Sequence, residues 1–279
     1  MNDFTKEMMR IFKTPQPLAD EYTNPEDGLL YCQKCHTPRQ TTVTLGKDTF
    51  YPKVNCRCQQ EQMEREKAER DKQELAAKIS RLKASGLQDK ALLDYTFAND
   101  SGINPELQKA HEYVERRPEM RESCTGLLVW GGVGTAKSFF AGCIANALLE
   151  QGVPVLMTNF ARILNSLTGL YNEKNEFVES FNRYSLLIID DLGVERNSEF
   201  ALEQVYTIID SRYRSKKPLI VTTNLTLEEL KHPADIAHER IYDRVLERCV
   251  PLKINNENIR QRNAKTNIAK AKELFSTGL

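Results

Sequence analysis

Short apolar runs recur along the second half of the chain: GLLVW at 126–130, VPVLMTNF at 153–160, SLLIID at 185–190, PLIVTTN at 218–224 and VPLKIN at 250–255. Runs of this length, rich in β-branched residues, predict buried strands. Longer stretches with helical patterning fill the gaps, notably KSFFAGCIANALLEQ, SEFALEQVYTIIDSRYRS and DIAHERIYDRVLERC. Strands alternating with helices predict an α/β fold built on a mainly parallel sheet with helices on both faces. Ligands bind such sheets at the carboxyl ends of the strands.

The pattern changes upstream. Residues 59–85, QQEQMEREKAERDKQELAAKISRLKAS, hold many helix formers and opposite charges without proline or glycine. They predict a solvated linker helix. Its apolar positions Met63, Leu75, Ile79 and Leu82 are too sparse for a coiled-coil seam. Four of the seven cysteines lie just before it, as Cys32-Gln-Lys-Cys35 and Cys56-Arg-Cys58. In a reducing compartment two close thiolate pairs offer four tetrahedral ligands to zinc, and TTVTLGKDTFYP between them can form a hairpin that folds one pair onto the other. A redox pair at Cys32 and Cys35 is the competing reading, but no thioredoxin-like unit surrounds it. With four cysteines present, His36 is expected to be a bystander, and four thiolates leave no open position for chemistry. Cys124, Cys143 and Cys249 are expected to be buried small residues. The expected organisation is a zinc-binding module at 1–58, a charged helical linker at 59–85 and a large domain at 86–279.

Composition narrows the function classes. The chain has 279 residues, 40% hydrophobic and 28% charged, enough for one large core and a small appendage. Basic and acidic residues number 39 each, so any contact with nucleic acid must come from a local patch. No apolar run approaches a membrane span, and the polar start MNDFTKEMMR lacks a secretion signal, which together predict a cytoplasmic protein.

The chemistry concentrates after the first strand of the large domain. GGVGTAKS at 131–138 follows the phosphate-loop pattern G-x-x-x-x-G-K-[ST] at Gly131, Lys137 and Ser138 and departs from it at Ala136, where the last glycine would stand. LLIIDD puts Asp190 and Asp191 at the end of another buried strand, at the same sheet edge. A nucleoside triphosphate site needs this pairing. Backbone N–H groups and Lys137 hold the phosphates, Ser138 coordinates magnesium, and an acidic residue anchors the metal shell.

GGVGTAKSFFAGCIANALLEQG, LLIIDDLGVE, IIDSRYRSKKPLIVTTN, ERIYDRVLERC and NENIR together resemble the AAA+ ATPase domain of the DnaC/DnaI helicase loaders and their IstB-like transposition relatives, over residues 90–265. The cysteine module is similar to the DnaI arrangement. The resemblance implies a P-loop AAA+ ATPase domain behind a small zinc module and linker helix, with ATP, Mg2+ and Zn2+ as cofactors. Gly131, Gly132, Val133, Gly134, Thr135, Ala136, Lys137 and Ser138 would form Walker A, and Asp190 with Asp191 Walker B. Asp190 would support magnesium, and Asp191 would polarise the attacking water in the place often held by glutamate. Asn224 matches sensor 1. Arg244 matches the arginine finger delivered to a neighbouring subunit, with Arg240 as understudy, and Arg260 matches sensor 2. Thr96-Phe97 sits where such proteins approach adenine.

If position 136 requires a positive φ, alanine costs about 1 to 2 kcal/mol there and weakens binding roughly tenfold for each 1.4 kcal/mol. The rest of the cradle is intact, and minichromosome-maintenance helicases carry a similar Ala-Lys-Ser ending, so a working site is expected. The expected function is an ATP-dependent loader of a replicative hexameric helicase that contacts single-stranded DNA and self-assembles into an oligomer with ATP. The alternatives are an IstB-like transposition helper ATPase and a non-hydrolysing adaptor with a degraded P-loop.

Overall fold

The computed structural model describes residues 17–102, 104–170, 173–193 and 198–276. The opening stretch of the expected zinc module, positions 194–197 after the acidic pair and the last three residues lie outside the described residues. The chain divides into two compact units, Met1–Ala76 and Ala77–Leu279. The division falls inside a continuous helix, α1 (Arg57–Gly86), so the helix spans one residue more at its end and two more at its start than the charge pattern alone predicts.

The first unit is built from two small antiparallel hairpins, β1 (Glu21–Thr23) with β2 (Leu30–Cys32) and β3 (Val43–Leu45) with β4 (Asp48–Phe50). The second hairpin is the expected strand segment between the cysteine pairs. Its core is small, and Glu21, Arg39 and Gln40 are buried in it as polar partners: Arg39 donates to Glu21 at 3.3 Å, and Gln40 Oε1 accepts the Leu30 N–H at 3.0 Å.

The second unit carries the predicted sheet, with β5 (Gly126–Trp130), β6 (Val155–Asn159), β7 (Leu186–Leu192), β8 (Leu219–Thr223) and β9 (Cys249–Lys253) in the order β6-β7-β8-β5-β9, every pair parallel. Successive strand residues point to opposite faces, and both faces are apolar here. Val129, Ile188 and Ile220 join one core with α2 (Leu107–Glu115) and α4 (Lys137–Glu150), which lie either side of the short α3 (Arg117–Glu122) in sequence. Leu128, Leu187 and Val221 join the other core with α5 (Phe160–Thr168), α6 (Lys174–Ser180), α7 (Glu199–Arg214), α8 (Leu227–Lys231) and α9 (Ile236–Arg248). A final helix, α10 (Ile259–Ser276), follows β9.

One buried cation organises the edge away from the site. Arg212, 1% exposed, donates to the carbonyls of Pro218, Tyr184 and Ser185 at 2.8 to 3.1 Å. Burial lowers its pKa to about 10, and the carbonyl ring supplies the acceptors its lost hydration would have supplied. Of the three cysteines expected to be buried, Cys143 and Cys249 are; Cys124 is not, because it occupies a turn at φ 57 where its thiol donates to the Lys216 carbonyl at 3.0 Å.

Candidate nucleotide site and cysteine cluster

β5 ends at Trp130, and the loop that follows turns directly into α4. Two of its glycines are required by space. A Cβ on Gly131 would lie 2.3 Å from the Ile254 carbonyl oxygen, and one on Gly134, at φ +78, would lie 2.2 Å from Asn258 Oδ1. The chain after β9 therefore packs directly on the loop. Asn256 Nδ2 donates to the Thr135 carbonyl at 3.1 Å, and the Ile259 N–H donates to the Gly134 carbonyl at 3.0 Å. Both residues lie in the NENIR stretch at 256–260, where only Arg260 was singled out for chemistry.

Ala136 is the N-cap of α4 at φ 72, ψ 28, in the left-handed region. Position 136 does call for a glycine-like backbone, and alanine adopts it. No side chain caps the helix, so its first-turn N–H groups and the positive end of its dipole lie at the loop, the arrangement that binds phosphate. Lys137 is 5% exposed; its ammonium donates to the carbonyls of Gly131 at 2.9 Å and Gly132 at 2.8 Å and to Asn224 Oδ1 at 2.6 Å. Burial lowers its pKa, while Asp191 and Asp190 hold the proton on.

A cavity of about 480 Å³ opens here, lined among others by Tyr95, Lys137, Ser138, Asp191, Asn224 and Arg260. A smaller one of about 140 Å³ shares Ser138, Asp191 and Arg260 and adds Asp190 and Arg162. The fold thus brings together the loop, the acidic pair, Asn224 and Arg260, which come from four separate stretches of sequence. Asp190 is raised in pKa by burial, which hydrogen bonds from Thr222 and Ser138 partly oppose. A half-buried carboxylate with a hydroxyl beside it, whose charge burial disfavours, fits a divalent cation held by Ser138 and Asp190.

The profile of the family described as IstB-like ATP binding protein matches residues 54–267, most of the chain. The chain belongs to this family. Among curated proteins, this IstB-like protein is similar to the replicative helicase loader DnaC of Escherichia coli (strain K12), with 29% identity over 143 residues that cover 50% of this chain and 56% of the relative. It is similar to the replicative helicase loader DnaI of Bacillus subtilis (strain 168), with 28% identity over 150 residues covering 48% of this chain and 47% of the relative. The chain spans about half the length of the curated relatives it matches. A crystal structure of DnaI superimposes with a TM-score of 0.50 at 21% identity, covering 61% of this chain and 93% of that one, a likeness of fold. The fold is the α/β arrangement that the strand and helix pattern predicts.

One expectation about this IstB-like protein changes. Phe97 does not line the cavity: its ring stacks on His111 with centroids 3.7 Å apart, and the wall is formed instead by Tyr95, whose carbonyl is held by Asn146 Nδ2 at 2.9 Å. Neither Arg244 nor Arg240 reaches the cavity of its own chain. Arg244 donates to Asp210 Oδ1 at 2.8 Å and to the Tyr206 hydroxyl at 2.9 Å, with its guanidinium 4.7 Å from the Tyr206 ring centroid. Arg240 is exposed on the same helix. The anchors Tyr206 and Asp210 sit on α7, and their pairing with α9 exists only in the folded chain.

In the first unit the sulfurs of Cys32, Cys35, Cys56 and Cys58 all lie within 4.8 Å of one another. Four converging thiols on two turns fit a structural zinc ion. Thr37, 3.1 Å from the Cys35 sulfur, lowers that thiol well below its ordinary range. Arg39 Nη2 approaches the Cys32 sulfur at 3.9 Å, a cation placed where bound thiolates would leave net negative charge. His36 stands apart, its ring packed on Tyr22 at 5.8 Å between centroids.

Proposed function

We propose that this chain is an ATPase that loads a replicative hexameric DNA helicase, with ATP controlling its self-assembly and its contact with single-stranded DNA. The observation that carries the reading is the convergence of Lys137, Ser138, Asp190, Asp191, Asn224 and Arg260 on two cavities that share Ser138, Asp191 and Arg260 at the carboxyl edge of the sheet. Lys137 and the first-turn N–H groups of α4 bind the phosphates. Ser138 and Asp190 hold magnesium, which when bound offsets phosphate charge. Asp191 and Asn224 orient the attacking water, and Arg260 reaches the nucleotide of its own subunit. Arg244 is the residue delivered to the next subunit, which is consistent with its absence from the cavity of its own chain. The relatives DnaC and DnaI are named as replicative helicase loaders, and this supports the choice of partner.

The test is to combine the purified chain with a replicative hexameric helicase and single-stranded DNA and to measure co-elution and ATP turnover. ATP-dependent co-elution with turnover supports the loader. Turnover without helicase binding, but with capture of a transposase, supports the transposition helper of the same family. Helicase binding with no turnover under any assembly condition supports the non-hydrolysing adaptor. The cysteine cluster supports the loader reading, since four clustered thiols fit the DnaI-like module expected from the sequence.

A further inference from the structure

The acidic pair has an unusual backbone. β7 and β8 pair in register as far as Ile189 with Val221, and pairing resumes at Leu192 with Thr223. Three steps on β7 therefore oppose two on β8, which is a β-bulge with one extra residue. Asp191 sits in it at φ 60, the left-handed region that aspartate tolerates better than most side chains.

The bulge changes where the carboxylates point. Neighbouring residues of a regular strand face opposite sides of the sheet, yet Asp190 and Asp191 both line the smaller cavity, and Asp191 lines the larger one as well. The turn at Asp191 thus brings two consecutive acids to one place.

A bulge leaves ladder groups unmatched, and here side chains of β8 take them up. Thr222, fully buried, accepts the Asp191 N–H at 3.0 Å and donates its own proton to Asp190 Oδ1. Thr223, also fully buried, donates to the Leu192 carbonyl at 2.7 Å and accepts the Leu225 N–H at 3.1 Å. One hydroxyl, on Thr222, joins the backbone of one acid to the carboxylate of the other.

We propose that Thr222 is the positioning residue of the acidic pair: it closes the bulge so that Asp191 is held in the cavity while Asp190 stays beside Ser138. The inference rests on the ATPase reading above and adds that the rate of hydrolysis, rather than nucleotide affinity, depends on this hydroxyl. Thr222 touches none of the reacting atoms. A buried valine of the same shape would leave the Asp191 N–H unmatched and Asp190 with Ser138 but without its Thr222 donor, and the bulge would relax toward a different turn.

The experiment uses the full-length chain under conditions where wild type turns over ATP, with binding measured separately. Thr222→Val should lower kcat about tenfold or more while the ATP Kd changes by no more than about threefold. Thr222→Ser, which restores the hydroxyl, should recover most of the rate. If Thr222→Val does not fold, Thr222→Cys replaces it: the thiol keeps the size and offers only a weak donor, so kcat should again fall at unchanged affinity. Wild-type kcat per folded molecule in Thr222→Val or Thr222→Cys overturns the inference, and so does an equal loss of rate and affinity. Full turnover in Asp191→Asn, or none in wild type with ATP bound, overturns the ATPase reading together with the inference.

Discussion

Replacing Ala136 by glycine tests the strain at the head of α4. Alanine in the left-handed region costs about 1 to 2 kcal/mol, and the observed φ of 72 puts the full strain on it. Glycine removes that strain but gains conformational freedom in the unfolded chain, a loss of about 0.4 to 1 kcal/mol. The difference favours Ala136→Gly by about 0.5 to 1 kcal/mol, a rise in Tm of roughly 1 to 4 °C for a unit of this size. The native hydrogen bond from the Phe140 N–H to the Ala136 carbonyl, at 2.9 Å, is unaffected because it is backbone to backbone. Differential scanning fluorimetry without nucleotide measures the first effect, and isothermal titration with Mg-ATP measures whether the loop gains affinity. Affinity should rise or stay the same, since the substitution removes a side chain from the cavity wall and adds nothing. A fall in Tm of more than a degree, or ATP binding weakened by threefold, would refute the strain argument and mean that the alanine methyl makes a contact the loop needs.

Other expectations follow from the same geometry. Lys137→Ala should abolish the rise in Tm that ATP gives to wild type, because any ligand selective for the native state stabilises it and this variant lacks the buried ammonium; thermal shifts with and without ATP decide it. Metal analysis of protein purified without chelator should find one zinc per chain, and the double variant Cys56→Ser with Cys58→Ser should lose it and unfold the first unit while ATP still stabilises the second. Protein free of zinc, or a double variant that keeps it, refutes the assignment. Arg244→Ala should bind ATP as wild type does but fail to show the rise in turnover per chain with protein concentration, and mixing it with Lys137→Ala should restore part of the activity through mixed neighbours. Full activity of Arg244→Ala alone would move the role to Arg240.

The elements were legible because each is fixed by local periodicity. GLLVW and LLIIDD alternate between two apolar faces, so strand, burial and parallel pairing all follow from composition, and the loop between GLLVW and KSFF has no other place to go. The four cysteines were legible because ligand chemistry is carried by the residue type. What the sequence did not reveal depends on partners distant in the chain. Thr222 reads as one more β-branched strand residue until the bulge opposite it exists, and Arg212 reads as a solvated helix charge until the carbonyls of Tyr184, Ser185 and Pro218 surround it. Thr96-Phe97 failed for the same reason: the ring is claimed by His111, fourteen residues on, and Tyr95 is left at the cavity.

Strain also has a pattern. Five non-glycine residues among those described have positive φ, and two of them line the same cavity, Ala136 from the loop after β5 and Asp191 from β7. Each costs on the order of 1 to 3 kcal/mol, which persists only where surrounding structure over-determines the backbone. For Ala136 the restraint is α4 itself: Phe140, Ala141, Ile144, Leu148 and Leu149 are all at most 1% exposed. At about 1.5 to 3 kcal/mol for each large apolar side chain, burial of this helix outweighs one strained cap severalfold. For Asp191 the restraint is the buried threonine pair of β8. The shape that a glycine normally gives a phosphate loop is here imposed on alanine by the helix it begins, so the departure at position 136 does not by itself imply a broken site. If that is correct, shaving the far side of α4 should harm the loop: Leu148→Ala, remote from the cavity and worth about 2 to 5 kcal/mol, should destabilise the chain and weaken ATP binding more than it does in a background carrying Ala136→Gly. Equal losses in the two backgrounds would show that helix burial and loop shape are independent.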